Sequence, residues 1–400
     1  MRERQIHIAL KILGLYLTKA DEHKGILPLH IFLQGYFREN KQMGSKDRKI
    51  ASSLIYNYFR LGKSLSTLEP QERMAIGSFL CENEYSEILK VLFSSIPWFT
   101  ESMLEIKLDE KVSLLKEKYP DFKLEEVFPF NNELSEGIDK HKFYMSFLMR
   151  PKLWIRIKRG SENIVIEELK SKDISFETFP DKPQTVGMEI STKLDHLVSK
   201  NKGLFEVQDF SSQLTGTYLE PEKEERWWDC CAGSGGKSLM LLDKEPKVKL
   251  FASDIRPQII ENLKVRFKAA RINSYQAAVL DFIGTRTTPG KNFDGIIVDA
   301  PCSGSGTWGR TPEMLSLFDS NEINNFQQKQ KNIAAAILPT LKSGKSLIYI
   351  TCSVFKAENE DVVNYLCQNL NLKLDKMQLI PGYENRADSL FVARLIKSLP

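Results

Sequence analysis

Two cysteines follow apolar runs that are typical of buried strands. Cys302 follows "FDGIIVDAP", and Cys352 follows "SLIYIT". A thiolate that adds to carbon 6 of a pyrimidine ring makes carbon 5 able to attack a methyl sulfonium, and a second thiol can assist release of the product. An acid beside the ring, here Asp299, can hydrogen-bond the ring and stabilise the adduct. These residue types predict covalent methylation of a pyrimidine at carbon 5; the alternative is two buried thiols beside turns.

The cysteine and histidine pattern argues against disulfides and against a zinc site. The chain has six cysteines without a C-x-x-C pair, and all five histidines precede residue 200. A disulfide framework is implausible in a large cytoplasmic chain, and a zinc site in the second half would lack its usual histidines. We therefore expect free thiols and no metal, with Cys81 and Cys367 serving as small buried hydrophobes.

A glycine-rich loop follows the apolar run "RWWDCCAG". Gly233, Gly235 and Gly236 would let the backbone turn tightly and approach a ligand, and the next helix would present its N-terminal amides to that ligand. The loop is not G-x-G-x-x-G, so a dinucleotide is not the natural interpretation. Taken alone, the loop could equally be a tight structural turn.

Two acids downstream of the loop support a cofactor. Asp254 ends the next apolar run, nineteen residues after Gly235, where a carboxylate can accept hydrogen bonds from ribose hydroxyls. Asp281 follows a third apolar run, in "AAVLDF", and suits the adenine side; alone, it could be a capping or solvated carboxylate. The loop and the two acids together predict S-adenosylmethionine as the cofactor.

The elements that must position these residues change along the chain. Residues 1 to about 140 have apolar residues at helical spacing, as in "SKDRKIASSLIYNYFRLG". In residues 141–204, apolar and polar residues alternate along "PKLWIRIKRG", as they do in a half-buried strand. This pattern predicts a small α/β module. From 205 to 400, apolar runs alternate with helical segments, which predicts a parallel sheet with crossover helices on both faces. Ligands bind such sheets at the carboxyl ends of the strands, where Cys302 and Cys352 would converge.

The charge is unevenly distributed. Residues 1–60 hold 11 Lys/Arg against 5 Asp/Glu, and residues 101–139 hold 5 against 11. The basic N-terminal part suits a phosphate backbone, although a solvated helix surface has the same pattern. Residues 1–25 predict an amphipathic first helix and no signal peptide, and no apolar stretch is long enough to span a membrane. We therefore expect a cytoplasmic protein.

These segments resemble the RsmB/Sun-type family of RNA cytosine-5 methyltransferases, specifically its bacterial 16S ribosomal RNA branch. The likeness covers nearly the whole chain and is strongest from 203 to 360. The pair of cysteine motifs is its most specific part. The matching segments are "DAPCSGSG", "TCSV", "CAGSGGK", "GLFEVQDFSSQL", "SKDRKIASSLIYNYFR" and "PKLWIRIK".

The resemblance implies an α/β architecture in three parts. A helical NusB-like RNA-binding domain (1–140) and a small α/β, RRM-like module (141–204) would precede a Rossmann-like methyltransferase domain (205–400). It implies a monomer that uses S-adenosylmethionine and acts on RNA, with ribosomal RNA favoured and transfer RNA second. Cys352 becomes the nucleophile and Cys302 the thiol that assists release. The implied cofactor contacts are Cys231, Ala232, Gly233, Ser234, Gly235, Gly236, Lys237, Asp254, Asp281 and Asp299.

Three departures from the family pattern bear on this expectation. Gly233-Ser234 stands where the family usually has Ala-Pro, Ile259 stands where an arginine is common, and "RIK" at 156–158 replaces "RVN". Arg256 could take the place of the missing arginine. A DNA cytosine methyltransferase fits less well, because that family uses the cysteine of its Pro-Cys motif and lacks the second thiol. An RNA-binding assembly factor without activity is the alternative of a different class.

Overall fold

The chain divides into two compact units, of which the first is helical. The computed structural model describes residues 2–22, 27–285, 288–290 and 292–399; position 1 and positions 23–25 of the predicted first helix lie outside them. The division into three domains stays a prediction. The first unit comprises Met1–Asn132, Asp139–Arg150 and Trp308–Ser320, and the second comprises Glu133–Ile138, Pro151–Thr307 and Asn321–Pro400.

Seven helices from the N-terminal part build most of the first unit. In the third helix the buried apolar residues are Ala51, Leu54, Ile55 and Phe59, which recur at helical spacing and face the core of the unit. The fourth begins with a proline at its first turn, where a missing amide proton leaves no hydrogen bond unmade. The helices are α1 (Arg2–Glu22), α2 (Leu29–Glu39), α3 (Ser45–Phe59), α4 (Pro70–Cys81), α5 (Glu87–Leu92), α6 (Leu108–Lys118) and α7 (Lys140–Phe147).

A segment from far along the chain completes the first unit. The indole of Trp308 is buried, and its ring centroid lies 5.6 Å from that of Phe128 and 4.9 Å from that of Phe318. The carboxylate of buried Glu313 accepts a hydrogen bond from the backbone amide of Leu29 at 2.9 Å. The segment 308–320 is thus part of the helical core, which the sequence pattern did not predict.

The second unit contains a four-stranded antiparallel sheet in the order β2-β3-β1-β4. Its last strand begins at Phe205, just past the boundary predicted at 204, and pairs with the first strand. Two helices accompany the sheet. The elements are β1 (Lys152–Ile157), α8 (Glu162–Ser171), β2 (Glu177–Phe179), β3 (Lys182–Glu189), α9 (Val198–Asn201) and β4 (Phe205–Val207).

A seven-stranded sheet in the order β10-β11-β9-β8-β5-β6-β7 forms the centre of the second unit. The strands β5 to β9 are mutually parallel, whereas β11 runs antiparallel to both β9 and β10. The strands are β5 (Arg226–Asp229), β6 (Lys249–Asp254), β7 (Gln276–Val279), β8 (Phe293–Asp299), β9 (Leu341–Thr351), β10 (Leu372–Ile380) and β11 (Leu390–Lys397).

Helices flank this sheet, and α13 belongs to the first unit although it lies between strands in sequence. Along β8, Ile296 and Val298 pack in one apolar cluster and Ile297 in another, so the sheet is covered on both faces. The α/β fold with a Rossmann-like domain is confirmed; the antiparallel edge was not predicted. The helices are α10 (Phe210–Thr215), α11 (Gly236–Lys244), α12 (Pro257–Ala269), α13 (Met314–Leu317), α14 (Glu322–Ile337) and α15 (Glu360–Asn369).

Within the described ranges, no helix combines the length and the apolar character that crossing a membrane requires.

Candidate active site

A cleft of about 530 Å³ lies at the carboxyl ends of the parallel strands. Parallel strands end at one edge of the sheet, so the loops after β5, β6, β7, β8 and β9 all reach it. The cleft brings together residues predicted separately from five parts of the chain. Its lining includes Cys230, Cys231, Gly233, Asp254, Ile255, Arg256, Leu280, Asp281, Phe282, Ile283, Asp299, Ala300, Pro301, Cys302, Lys329, Ile333 and Cys352.

Cys302 and Cys352 form a thiol pair in this cleft. Their Sγ atoms are 3.1 Å apart, and both cysteines are free. The pKa of the Cys302 thiol is raised well above its usual range, because its hydrogen bond with Cys352 and its burial both favour the protonated form. At neutral pH Cys302 therefore keeps its proton and can donate it in a hydrogen bond to the sulfur of Cys352.

Backbone contacts hold the two cysteine loops side by side. The amide of Ala300 donates to the carbonyl of Ile350 at 2.8 Å, and the amide of Gly306 donates to the carbonyl of Cys352 at 3.0 Å. A Cβ on Gly306 would lie only 1.9 Å from the carbonyl oxygen of Ser389, so glycine is required for this close approach.

Asp299, at the end of β8, is held by a lysine. The ammonium of Lys237 lies 3.1 Å from Oδ2 of Asp299 and 2.9 Å from the hydroxyl of Ser212. The lysine side chain is largely buried, whereas that of Asp299 is about one-third exposed and lines the cleft. The role of Lys237 as a cofactor contact stays a prediction; in the structure its ammonium bonds to Asp299.

The glycine loop between β5 and α11 turns as the sequence predicted. Gly235 caps α11 with a φ of 86°, and a Cβ there would lie 2.5 Å from Cε1 of Phe267, so no other residue fits without displacement of the ring. The amide of Gly233 donates to Oδ2 of Asp254 at 3.1 Å. The loop is thereby fastened to the end of β6.

Asp254 is paired with Arg256. Nε of Arg256 lies 2.9 Å from Oδ1 of Asp254, and Nη2 lies 2.9 Å from Oδ2. Burial opposes ionisation of Asp254, but the hydrogen bonds and charge of Arg256 outweigh it, and the pKa of Asp254 is lowered. Arg256 thus pairs with Asp254, and its substitution for an arginine at position 259 stays a prediction.

Asp229, at the end of β5, was not assigned a role from the sequence. Its Oδ2 accepts a hydrogen bond from the hydroxyl of Ser238 at 2.7 Å, and its Oδ1 has no protein partner within the part of the chain that is described. Burial raises the pKa of Asp229 to about 7, although the bond from Ser238 lowers it.

The predicted cofactor residues divide into two groups. Cys231, Gly233, Asp254, Asp281 and Asp299 line the cleft. The remaining loop residues do not line it, although Lys237 bonds to Asp299, which does. Their roles as cofactor contacts stay predictions. The loop residues that do not line the cleft are Ala232, Ser234, Gly235, Gly236 and Lys237.

The cleft also contains residues that the sequence reasoning missed. Apolar side chains of Ile255, Phe282 and Ile283 line it, and Lys329 of α14 adds a cation. The apolar residues adjoin Asp254 and Asp281 in sequence and could have been found there, whereas Lys329 has no sequence signal. In the ranges that the structure covers, no cluster of three or more His, Cys, Asp or Glu side chains is placed to hold a metal ion.

The strand order, the glycine loop and the strand-end cleft are those expected of a Rossmann-like, S-adenosylmethionine-dependent methyltransferase. Residues 216–396 match the family model "16S rRNA methyltransferase RsmB/F". This region is under half of the chain, and over it the chain resembles that family. The resemblance noted in the sequence is confirmed, and so is the cofactor class.

Similar proteins agree with this assignment. Ribosomal RNA small subunit methyltransferase B of Enterobacter sp. (strain 638) is 32% identical over 271 residues, which are 62% of this chain and 60% of that protein. The chain thus matches under two thirds of the relative's length. The crystal structure of PH0851 covers 98% of both chains with a TM-score of 0.70 and 21% identity. NSun6 from Pyrococcus horikoshii with SFG covers 72% of this chain and 98% of that one, with a TM-score of 0.57 and 17% identity. At such identities these two structures show the fold alone.

Proposed function

We propose that this protein transfers a methyl group from S-adenosylmethionine to carbon 5 of a cytidine in RNA, through a covalent cysteine adduct. Ribosomal RNA is the favoured substrate, because the matched family and the curated relative carry that name. The observation that carries the proposal is the Cys302–Cys352 pair, with sulfurs 3.1 Å apart, in a cleft that also contains Asp299.

In this proposal the two thiols have different roles, Cys352 in attack and Cys302 in release. Cys352 Sγ, as thiolate, adds to carbon 6, and the electron pair of the C5–C6 double bond makes carbon 5 the nucleophile for the methyl group. For release, the carbon-5 proton passes to water, the C5–C6 double bond re-forms, and the C6–S bond breaks with its electrons returning to Cys352. The Cys302 S–H, 3.1 Å away, can hydrogen-bond the departing thiolate and so stabilise it.

The residues around the cleft fit S-adenosylmethionine. A volume of about 530 Å³ is in the range that small-molecule sites use, and Gly233 leaves open space where a side chain would stand. The cofactor, when bound, supplies an electrophilic methyl group on a sulfonium. Asp254 would hold the ribose, the loop 231–236 and the start of α11 the amino-acid part, and Asp281 with Ile283 the adenine.

Asp254 gives a test of cofactor binding. Asp254→Ala removes a charged acceptor for the ribose and the anchor of the Gly233 amide. We expect cofactor affinity to fall by about 1–3 kcal/mol, measured by titration calorimetry. Glu261→Ala on α12, where Glu261 pairs with Lys264 on the same helix, is the control and should bind normally. Unchanged affinity in folded Asp254→Ala would remove Asp254 from the site.

The basic surface of α3 gives a test of RNA docking. Lys46 and Lys49 are exposed, whereas Arg48 is engaged with the carbonyl of Met43 and stacked over Phe37. Each phosphate that a lysine neutralises adds about 0.7–0.9 to the log–log salt dependence of RNA affinity. Replacement of both lysines by alanine should reduce the slope by that amount for every lysine that binds a phosphate. Filter binding over a range of salt concentrations measures this slope.

The control for that measurement removes the same charge elsewhere on the first unit. Lys116 and Lys123 are exposed and lie in the acidic part of the sequence. Their double alanine variant should keep the salt dependence of the wild type. Equal slopes for both double variants would mean that α3 is a solvated surface. Substitution is preferable to deletion of residues 1–140, because deletion would strip the segment 308–320 of its packing partners.

RNA labelled with tritium at carbon 5 of cytidine distinguishes the proposed chemistry from its alternatives. Methylation at carbon 5 must release tritium into water, in proportion to methyl groups incorporated from labelled cofactor. Methyl incorporation without tritium release would mean another atom is methylated. Absence of both with ribosomal and transfer RNA would favour the assembly-factor alternative; preference for transfer RNA would change the substrate only.

A further inference from the structure

The two cysteine loops share one buried carboxylate. Glu358 lies six residues after Cys352 and is fully buried. Its Oε2 accepts the backbone amide of Ser303, next to Cys302, at 2.9 Å. Its Oε1 accepts the hydroxyl of Ser353, next to Cys352, at 2.7 Å. One side chain therefore bonds to the residue that follows each cysteine.

A third donor fixes the carboxylate itself. The Nε2 of Gln330, on α14, lies 2.8 Å from Oε2 of Glu358 and 3.1 Å from the carbonyl oxygen of Pro301, which precedes Cys302. The carbonyl of Glu358 in turn accepts the hydroxyl of Tyr349 in β9 at 2.6 Å. The carboxylate is thus bound at both oxygens and its backbone is bound to the strand that leads to Cys352.

Serine hydroxyls join the loops a second time. The Oγ of Ser303 lies 3.2 Å from that of Ser353, and the Oγ of Ser305 lies 3.1 Å from it. The hydroxyl of Ser305 also accepts the amide of Val354 at 2.9 Å. All these groups are buried, so loss of the carboxylate would leave several donors without a partner in a region that water does not reach.

We propose that Glu358 is the positioning residue that sets the separation of the two catalytic sulfurs, because its carboxylate ties the Cys302 loop to the Cys352 loop. The roles of the sulfurs rest on the proposed function, but the positioning does not. Burial raises the pKa of Glu358. After the hydrogen bond from Cys352 and burial, the charge of Glu358 also raises the pKa of Cys302, consistent with a carboxylate close to the thiol pair.

The test measures the thiol pair without RNA or cofactor. Dibromobimane bridges two neighbouring thiols, and mass spectrometry identifies the bridged peptides; this is needed because Cys230 and Cys231 are a second pair, 4.0 Å apart. In Glu358→Ala we expect Cys302–Cys352 bridging to slow about 10-fold, because small displacements of oriented groups have large effects on rate. Glu358→Gln, which preserves the shape and most hydrogen bonds, should restore bridging to within about 1.5-fold of wild type.

A neighbouring glutamate provides the matched control. Glu360 is also largely buried, but its carboxylate accepts bonds from Ser135 and from the amide of Glu136, and within the described residues it bonds directly to neither cysteine loop. Glu360→Ala should bridge at the wild-type rate. Should Glu358→Ala not fold, Ser353→Ala removes only the hydroxyl that bonds Oε1, and bridging slowed about 3-fold would support the proposal.

Two results would overturn the positioning role. One is a folded Glu358→Ala variant, or a Ser353→Ala variant, in which dibromobimane bridges Cys302 and Cys352 at the wild-type rate. The other is Glu358→Gln bridging as slowly as Glu358→Ala, which would mean that the charge matters and the hydrogen-bond geometry does not. Methylation assays separate this proposal from the proposed function. If bridging were slow in Glu358→Ala but the wild-type protein did not methylate RNA, the positioning role would stand and the proposed methyltransferase activity would be rejected.

Discussion

Cys302→Ala should accumulate a denaturant-resistant protein–RNA complex when S-adenosylmethionine is present, whereas Cys352→Ala should form none. Without Cys302, attack and methyl transfer still occur, but the departing thiolate loses the S–H donor 3.1 Å away, and turnover should fall on the order of 10²-fold. Without Cys352, nothing adds to carbon 6, and turnover should fall on the order of 10³-fold or more. Denaturing gels of each variant with radiolabelled RNA detect the complex.

Cys367→Ala is the control, because Cys367 lies on α15, outside the cleft. It should neither trap RNA nor slow turnover. If the protein–RNA complex accumulated with Cys352→Ala and not with Cys302→Ala, the roles of the two cysteines would be exchanged. Normal turnover in both variants would make both thiols packing residues. The target base must leave its stack to reach the sulfur, at a cost of a few kcal/mol, so RNA with an unpaired target should trap faster.

Trp308→Ala should destabilise the first unit by about 3–5 kcal/mol, the range for loss of a large buried aromatic side chain. Trp308 is 1% exposed, and its ring packs against those of Phe128, Phe130 and Phe318. The measurement is urea unfolding followed by far-ultraviolet circular dichroism, to which the helices of this unit contribute together with those of the second unit.

Val265→Ala provides the comparison, because Val265 is 70% exposed on α12 of the second unit and should change stability by less than about 0.5 kcal/mol. If Trp308→Ala were as stable as Val265→Ala, the segment 308–320 would be attached to the helical unit without contributing to its core. A lower unfolding midpoint of the helical transition, with the other transition unchanged, is the expected pattern.

The sequence predicted the parallel strands well, because a run such as "GIIVDAP" must be buried on both faces. It did not predict the antiparallel strands β10 and β11. Strand β10 alternates buried and exposed residues only in part, and its direction depends on where the chain returns to the sheet. The segment 308–320 was missed for a related reason. Its partners, Phe128 and Leu29, are distant in sequence, and no local pattern records that contact.

The candidate site shows the same division. The sequence identified the acids and thiols because their types and strand-end positions carry the chemistry. It did not predict the Lys237–Asp299 pair, since that pair depends on how neighbouring strand ends are aligned, or the Arg256–Asp254 pair, which depends on the turn after β6. Glu358 was within a segment considered for its cysteine, but its role appears only when both loops are seen to bond to it.

The helical unit is discontinuous in sequence, since its last segment is Trp308–Ser320. During translation, the first 150 residues are made long before that segment. At bacterial and eukaryotic synthesis rates, the roughly 160 intervening residues take about 8–30 s. For that interval the aromatic surface that receives Trp308 lacks its cover, and a chaperone has time to bind it. The helical unit therefore reaches its final state only after the strand leading to Cys302 has been synthesised. For the same reason, dividing the chain at any one position leaves neither unit complete.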